Sequence, residues 1–276
     1  MKDFADKVAV ITGAASGLGK AFALEAAGRG MHLVLADINE RDLEALEQTL
    51  QTQFPKTQAL YRVCDVAQAE PLAALADASF ERFDKVHLLF NNAGVSAPPR
   101  PIWQLSVEDW HWVMNINVQG VFYGIKYFVP RMLEQAENSY IVNTASIAGF
   151  INDAGLNAYA ASKSAVVAMT ETLALDLAKY APQIRAAVLC PAWTKTDIHK
   201  SERNRAQATD INSLDARSLK KAAAISKLIE QGPSAESVIA KTFQALEEER
   251  LYIRTHPDFE QYVEARFAAV LAEKAL

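Results

Sequence analysis

Lys7-Val8-Ala9-Val10-Ile11-Thr12-Gly13-Ala14-Ala15-Ser16-Gly17-Leu18-Gly19 is the stretch that decides the fold of this chain. A short β-branched run, Lys7 to Thr12, meets glycines at 13, 17 and 19, and helix-forming residues continue as far as Gly30. The order is strand, glycine loop, helix. Glycines at such a junction allow a tight turn and let backbone N–H groups approach a phosphate at a helix N-terminus, where the macrodipole favours negative charge. The spacing is G-x-x-x-G-x-G and not the commoner G-x-G-x-x-G. About one βαβ step further on, a second strand, His32 to Ala36, ends in Asp37. A carboxylate there accepts hydrogen bonds from an adenosine ribose and repels a 2′-phosphate; its alternative use is as the N-cap of the next helix. Ile38 stands where an Arg would read such a phosphate, and Arg41, a turn later, reads as a solvated helix charge.

Three more strand-helix units lie downstream. Gln58 to Cys64 precedes a helix from about Ala67, Val86 to Phe90 precedes a long helix from Ser106, and Tyr140 to Thr144 precedes a helix over 157–180. Ser106-Val107-Glu108-Asp109 reads as an N-cap with acidic residues in the first turn. Beyond the strand Ile184 to Cys190 come Pro191, a polar stretch from about Asp197 to Asp215, helices near 214–231 and 234–249, a last strand Leu251 to Arg254 and a C-terminal helical stretch. This alternation predicts an α/β chain with a doubly wound parallel sheet covered by helices on both faces. Residues 1–276 read as one domain: a core over about 1–190, a loop-and-helix region over about 191–250 that would enclose a substrate, and 251–276 as last strand and helical stretch.

Composition narrows the partners. The net charge is −5, and no Lys/Arg run exceeds Lys220-Lys221, which argues against nucleic acid or an anionic membrane surface and in favour of small molecules. Met1 to Lys7 has no apolar signal region, and no apolar stretch approaches the ~20 residues of a membrane span, so a soluble, cytoplasmic protein is expected. Cys64 and Cys190 each end a strand-like run and read as buried reduced thiols; no metal site is expected.

Tyr159-Ala160-Ala161-Ser162-Lys163 puts a phenol and an ammonium group on one face of a helix with small residues between them. A phenol with a reference pKa near ~10 exchanges protons at neutral pH only if its anion is favoured, and Lys163 is placed to do so. The alternative is a chance Tyr/Lys pair on an amphipathic helix.

Five motifs in order make the chain resemble the short-chain dehydrogenase/reductase family over nearly its whole length. They are Thr12 to Gly19, Asp65-Val66, Asn91-Asn92-Ala93-Gly94, Asn117-Val118-Gln119-Gly120, and Ser146 thirteen residues before the Tyr159 pentad. The resemblance implies a Rossmann fold, with Thr12, Gly13, Ser16, Gly17, Leu18 and Gly19 at the pyrophosphate and Asp37 and Ile38 at the adenosine ribose. It also implies Asp65 and Val66 beside the adenine, and Asn91, Ala93 and Gly94 along the ribose. Asn117, Ser146, Tyr159 and Lys163 would form a catalytic tetrad, with Tyr159 and Lys163 also meeting the cofactor. Pro191, Thr194 and Thr196 would border the nicotinamide, though Pro191-Ala192 stands where the family usually has Pro-Gly, leaving the loop geometry open.

The activity this implies is interconversion of a secondary alcohol and a ketone. Tyr159 is expected to carry the proton, its pKa lowered by Lys163 and by an oxidised nicotinamide. Asn117 would hold a water behind Lys163. NAD is the expected cofactor; an NADP-linked reductase is disfavoured by Asp37 and by the lack of a basic residue at 15, 16 or 38. A dinucleotide sensor without catalysis is the third reading, and its signature, loss of Tyr159, Lys163 or Ser146, is not met. Val95, Ser96, Pro98, Phe150, Ile151, Leu156, Trp193 and His199 are candidate pocket walls, mostly apolar, and Asp197 to Asp215 a candidate lid. Outward apolar residues on the helices over 106–134 and 157–180 point to a homo-oligomer, a tetramer or a dimer.

Overall fold

The computed structural model describes residues 3–205 and 214–273. Its strands are β1 (Val8–Thr12), β2 (His32–Asp37), β3 (Ala59–Val63), β4 (Leu88–Asn91), β5 (Ser139–Thr144), β6 (Ile184–Cys190) and β7 (Tyr252–Arg254). They form one sheet in the order β3-β2-β1-β4-β5-β6-β7, every pair parallel. Because side chains alternate along a strand, each strand feeds two cores. Ala9 and Ile11 of β1, Leu33 and Leu35 of β2, and Leu88 and Phe90 of β4 point to one face. There they meet α1 (Gly17–Gly28), α2 (Glu40–Gln53) and α8 (Ala235–Glu247). Val8, Val10, Val34, Ala36 and Leu89 point to the other face, against α3 (Ala69–Phe83), α5 (Gly120–Glu134) and α6 (Asn157–Tyr180). Burial on both sides explains why the strands read as near-continuous apolar runs.

The winding reverses between β1 and β4, and in such sheets the crevice opens beyond the carboxyl ends of the strands at that reversal. The expected elements are present with ends shifted by a residue or two, and the 157–180 helix and the strand Ile184–Cys190 coincide with their predicted bounds. The long helix from Ser106 departs from expectation. It runs as α4 (Val107–Met114), a π segment over Asn115–Gln119, and α5. Ser106 caps α4 as predicted, accepting from Asp109 N at 3.0 Å. A π turn inserts one extra residue and rotates the helix beyond it. Nothing in the hydrophobic spacing marks it.

Of the polar stretch 197–215, residues 206–213 lie outside the described residues. Ile198–Asn204 forms 3-10 turns fastened at two points, Ser96 N donating to Ser201 Oγ (3.2 Å) and Arg203 to Ser16 Oγ (3.4 Å). α7 (Ala216–Gln231) and a C-terminal α9 (Glu260–Leu271) complete the chain. Among the described residues no helix is long and apolar enough to cross a membrane.

Candidate active site

A cleft of about 990 Å³ runs along the carboxyl edge of the sheet, at the upper end of the range for small-molecule sites. Its floor at one end is the glycine loop. Gly13 has φ +64° and lies so close to the β4 exit that a Cβ would stand 2.8 Å from Ala93 Cα. Gly19 packs on the carbonyl of Gly13, where a Cβ would stand at 1.8 Å. Ser16 occupies the N-cap position of α1 without a side-chain cap bond, and the first-turn N–H groups have no partner within the helix. Thr12 ties the floor together: its hydroxyl donates to Phe90 O (3.3 Å) and accepts from Asn92 N (3.0 Å) and Ala93 N (3.2 Å). Asp37 is not a helix cap, since Asn39 caps α2 by accepting from Asp42 N at 3.2 Å. Instead the Asp37 carboxylate accepts from Ala15 N and from Asn39 N, both at 2.9 Å, so the end of β2 and the glycine loop are held together.

At the other end Tyr159 and Lys163 project from the first turns of α6 beside Ser146, just past β5. Lys163 is buried; its Nζ donates to Thr144 O (2.8 Å) and stands 5.7 Å from the Tyr159 ring centre. Burial in this apolar surround lowers its pKa to about 8. Burial also raises the Tyr159 phenol above its usual value, with the Ser146 hydroxyl pulling weakly the other way. In the chain by itself desolvation sets the direction of the Tyr159 shift, whereas the expected lowering calls on Lys163 together with an oxidised nicotinamide. Ser146 Oγ donates to Pro191 O and accepts from Ala148 N, both at 3.2 Å.

Sixteen of the predicted residues line this one cleft: Gly13, Ser16, Gly17, Leu18, Asp37, Ile38, Asp65, Val66, Ala93, Gly94, Ser146, Tyr159, Lys163, Pro191, Thr194 and Thr196. Four stand behind it. Thr12 and Gly19 shape its glycine floor. Asn91 has its side chain buried, its Nδ2 donating to Asn143 Oδ1 at 2.9 Å, and Asn92, one residue on, faces the cleft. The period-two alternation of β4 turns Asn91 under α5, where Gly124 leaves room for it. Asn117, in the π segment and 0% exposed, braces the wall; its amide accepts from Val95 N (2.8 Å) and donates to Val95 O (3.0 Å) and Ser162 Oγ (2.9 Å).

Val95, Ser96, Pro98, Ile151, Leu156, Trp193 and His199 line the cleft as predicted, whereas Phe150 turns away and packs edge-on to Tyr252 at 6.0 Å. The sequence reading missed Ile225 and Ile229 of α7 and Phe259 and Tyr262 at the start of α9, which close the apolar side. The helical spacing of these residues reads as ordinary core, and only the return of the chain over the cleft exposes their use. It also missed Arg203, which lines the cleft and carries no motif.

N–H groups that seek an anion at one end of a single cleft, and a phenol beside a buried ammonium group at the other, are the two halves that dehydrogenase chemistry needs within reach of each other. The site thus defines an α/β oxidoreductase. A family model described as short chain dehydrogenase matches residues 7–207, and the chain belongs to that family. Among its relatives, the CLA biosynthesis dehydrogenase/reductase of Lactiplantibacillus plantarum is 37% identical over 280 residues, covering 100% of this chain and 96% of that protein. The cyclohexanol dehydrogenase of Acinetobacter sp. (strain SE19) is 37% identical over 196 residues, 71% of this chain and 76% of that one. A crystal structure of a short chain dehydrogenase/reductase from Burkholderia phymatum in complex with NAD superposes with a TM-score of 0.95 at 41% identity, covering 100% of this chain and 98% of that one.

Proposed function

We propose that the protein is an NAD-dependent dehydrogenase that interconverts a hydrophobic secondary alcohol and its ketone. The observation that carries this is the single cleft joining the Asp37-tied glycine loop to Ser146, Tyr159 and Lys163 beneath an apolar outer wall. The glycine floor owes its tight form to residues without a Cβ, since one at Gly13 would run into Ala93 and one at Gly19 into the Gly13 carbonyl, and such a turn lets backbone N–H groups approach a phosphate. The bound nicotinamide would supply the hydride acceptor or donor. The preference for NAD rests on the Asp37 carboxylate, which repels a 2′-phosphate, and is in keeping with the NAD complex of the Burkholderia phymatum relative.

The chain's own residues divide the remaining work. Tyr159, whose phenol desolvation raises above its usual value, donates its proton to a ketone oxygen and is left as a phenolate beside Lys163; in alcohol oxidation that phenolate takes the proton from the substrate hydroxyl. Ser146, set by Pro191 O and Ala148 N, orients that oxygen. Lys163, anchored on Thr144 O, places a positive charge behind the phenol. Residues of about 1–190 hold cofactor and proton carrier; the region over about 191–250 and the start of α9 form the substrate wall. Phe122 and Leu133 of α5 and Leu175 and Tyr180 of α6 remain exposed, which supports pairing of these helices in a homo-oligomer. Two buried unpaired thiols suit a reducing, cytoplasmic compartment.

The test is NADH titration by fluorescence beside turnover on aliphatic, aromatic and steroidal ketones, for the native protein and Tyr159→Phe. The variant should bind NADH normally and lose about 10²- to 10⁴-fold in kcat, the range for general acid–base participation. A variant keeping more than about a tenth of normal kcat would mean that the proton travels through another group.

A further inference from the structure

His256 lies in no motif, yet it joins the C-terminal segment to the cleft. β7 pairs with β6 through Cys190↔Arg254, so the residues just past each strand, Pro191-Ala192 and Thr255-His256, leave the sheet side by side. There Ala192 N donates to His256 Nδ1 at 3.1 Å, and the Thr255 hydroxyl lies 2.9 Å from the same nitrogen. With Nδ1 accepting from Ala192, the ring proton sits on Nε2, which is 3.2 Å from Trp193 O and donates to it. One neutral imidazole therefore holds both Ala192 N–H and Trp193 C=O, on either side of the Ala192-Trp193 peptide. The residue before that peptide, Pro191, carries the carbonyl that accepts from Ser146 Oγ and from Ile147 N (2.9 Å).

We propose that His256 is a positioning residue, a neutral latch that sets the Pro191–Trp193 loop and through it the Ser146 hydroxyl. Protonation at Nδ1 would set an N–H against the Ala192 N–H and open the latch. The charged groups facing the ring are Lys241 of α8, whose Nζ donates to Thr255 O at 2.9 Å, and Asp258 in the turn before α9; the loop itself presents only backbone. Burial, assisted by Lys241 and opposed by the Trp193 carbonyl and Asp258, keeps the imidazole below its ordinary pKa, so the latch is closed at neutral pH and opens on acidification. The latch also explains why Ala can stand at 192: the backbone there is held by hydrogen bonds on both sides of its peptide, and glycine's freedom is not called on.

The catalytic consequence rests on the dehydrogenase reading above, so the experiment has two arms. The first is hydrogen exchange of the 190–196 peptide in the free protein, corrected for intrinsic rates, between about pH 5 and pH 8. Protection in the native protein should fall severalfold below the ordinary His pKa of ~6.5. His256→Asn, whose side-chain oxygen can take the place of Nδ1 without titrating, should stay within about twofold at every pH. His256→Ala should exchange about five- to tenfold faster throughout, the scale of a lost hydrogen bond. The second arm is kcat/KM for ketone reduction over the same range. The acid limb of the native enzyme should vanish in His256→Asn with the neutral-pH value largely kept. Native-like protection in His256→Ala, or an unchanged acid limb in His256→Asn, overturns the latch. Should His256→Ala fail to fold, the Asn variant decides alone. A native protein that turns over no ketone defeats the functional reading, while the exchange arm still decides the latch.

Discussion

Replacing Asn117 by Ala is predicted to destabilise the protein by about 3 kcal/mol, even though the side chain neither lines the cleft nor belongs to the apolar core. Its amide is 0% exposed and bonded to Val95 N, Val95 O and Ser162 Oγ. Ser162 keeps its own bond to Tyr159 O (2.7 Å), but truncation strands both backbone groups of Val95, each worth ~1–3 kcal/mol when buried without a partner. Two such groups and a small void give the figure, and for a chain of this size it corresponds to roughly 6–10 °C in Tm. Activity should fall as well, because Val95 lines the cleft and Ser162 sits in the turn between Tyr159 and Lys163. The assay is thermal and urea unfolding at one fixed protein concentration, with Asn115→Ala as control. Asn115 lies in the same π segment but is exposed, and its removal should cost no more than ~0.5 kcal/mol. If the two variants melt together, Asn117 is not a brace.

Asp37→Ala frees Ala15 N–H and removes the charge facing a 2′-phosphate, so NADH affinity should drop about tenfold, the scale of a charge-assisted hydrogen bond, and the preference for NAD over NADP should shrink. Equal kcat/KM for both cofactors in the native protein would refute that reasoning. At the opposite edge of the sheet, Glu137 accepts from Lys85, from His87 Nε2 (3.0 Å) and from Lys7 (3.3 Å), which together bring its pKa to about 2. A carboxyl whose folded pKa is depressed contributes stability above its unfolded value and loses it as pH falls, here between about 4.5 and 2. His87, kept neutral chiefly by burial, adds a loss that begins below the ordinary His value. Glu137→Gln should therefore be less stable than the native protein at pH 7, with the gap closing toward about pH 2; a gap constant with pH in urea titrations would exclude the cluster as its cause. Light scattering at micromolar concentration should show a dimer or tetramer, and a single 30.3 kDa species would rule out pairing through α5 and α6.

Much of the site was legible in the chain because it is built from local signals. The glycine loop, Asp37 at the end of β2, and Tyr159 with Lys163 one turn apart are each specified within a few residues of sequence, by strand ends and helix periodicity. The alternation of strands and helices likewise dictates a parallel sheet with two buried faces. The tertiary structure decided the features that depend on contacts across long separations. Asn91 and Asn92 are chain neighbours, and only their pairing with β5 and α5 decides which faces the cleft. Phe150 and His199 looked equally eligible as walls until Tyr252 drew Phe150 away. His256 meets Ala192 across 64 residues because β7 lies beside β6. The direction of the Tyr159 shift belongs to this second class: the sequence places a cation nearby, but how much water the assembled cleft leaves around the phenol is a property of the packed surroundings, and there desolvation raises it.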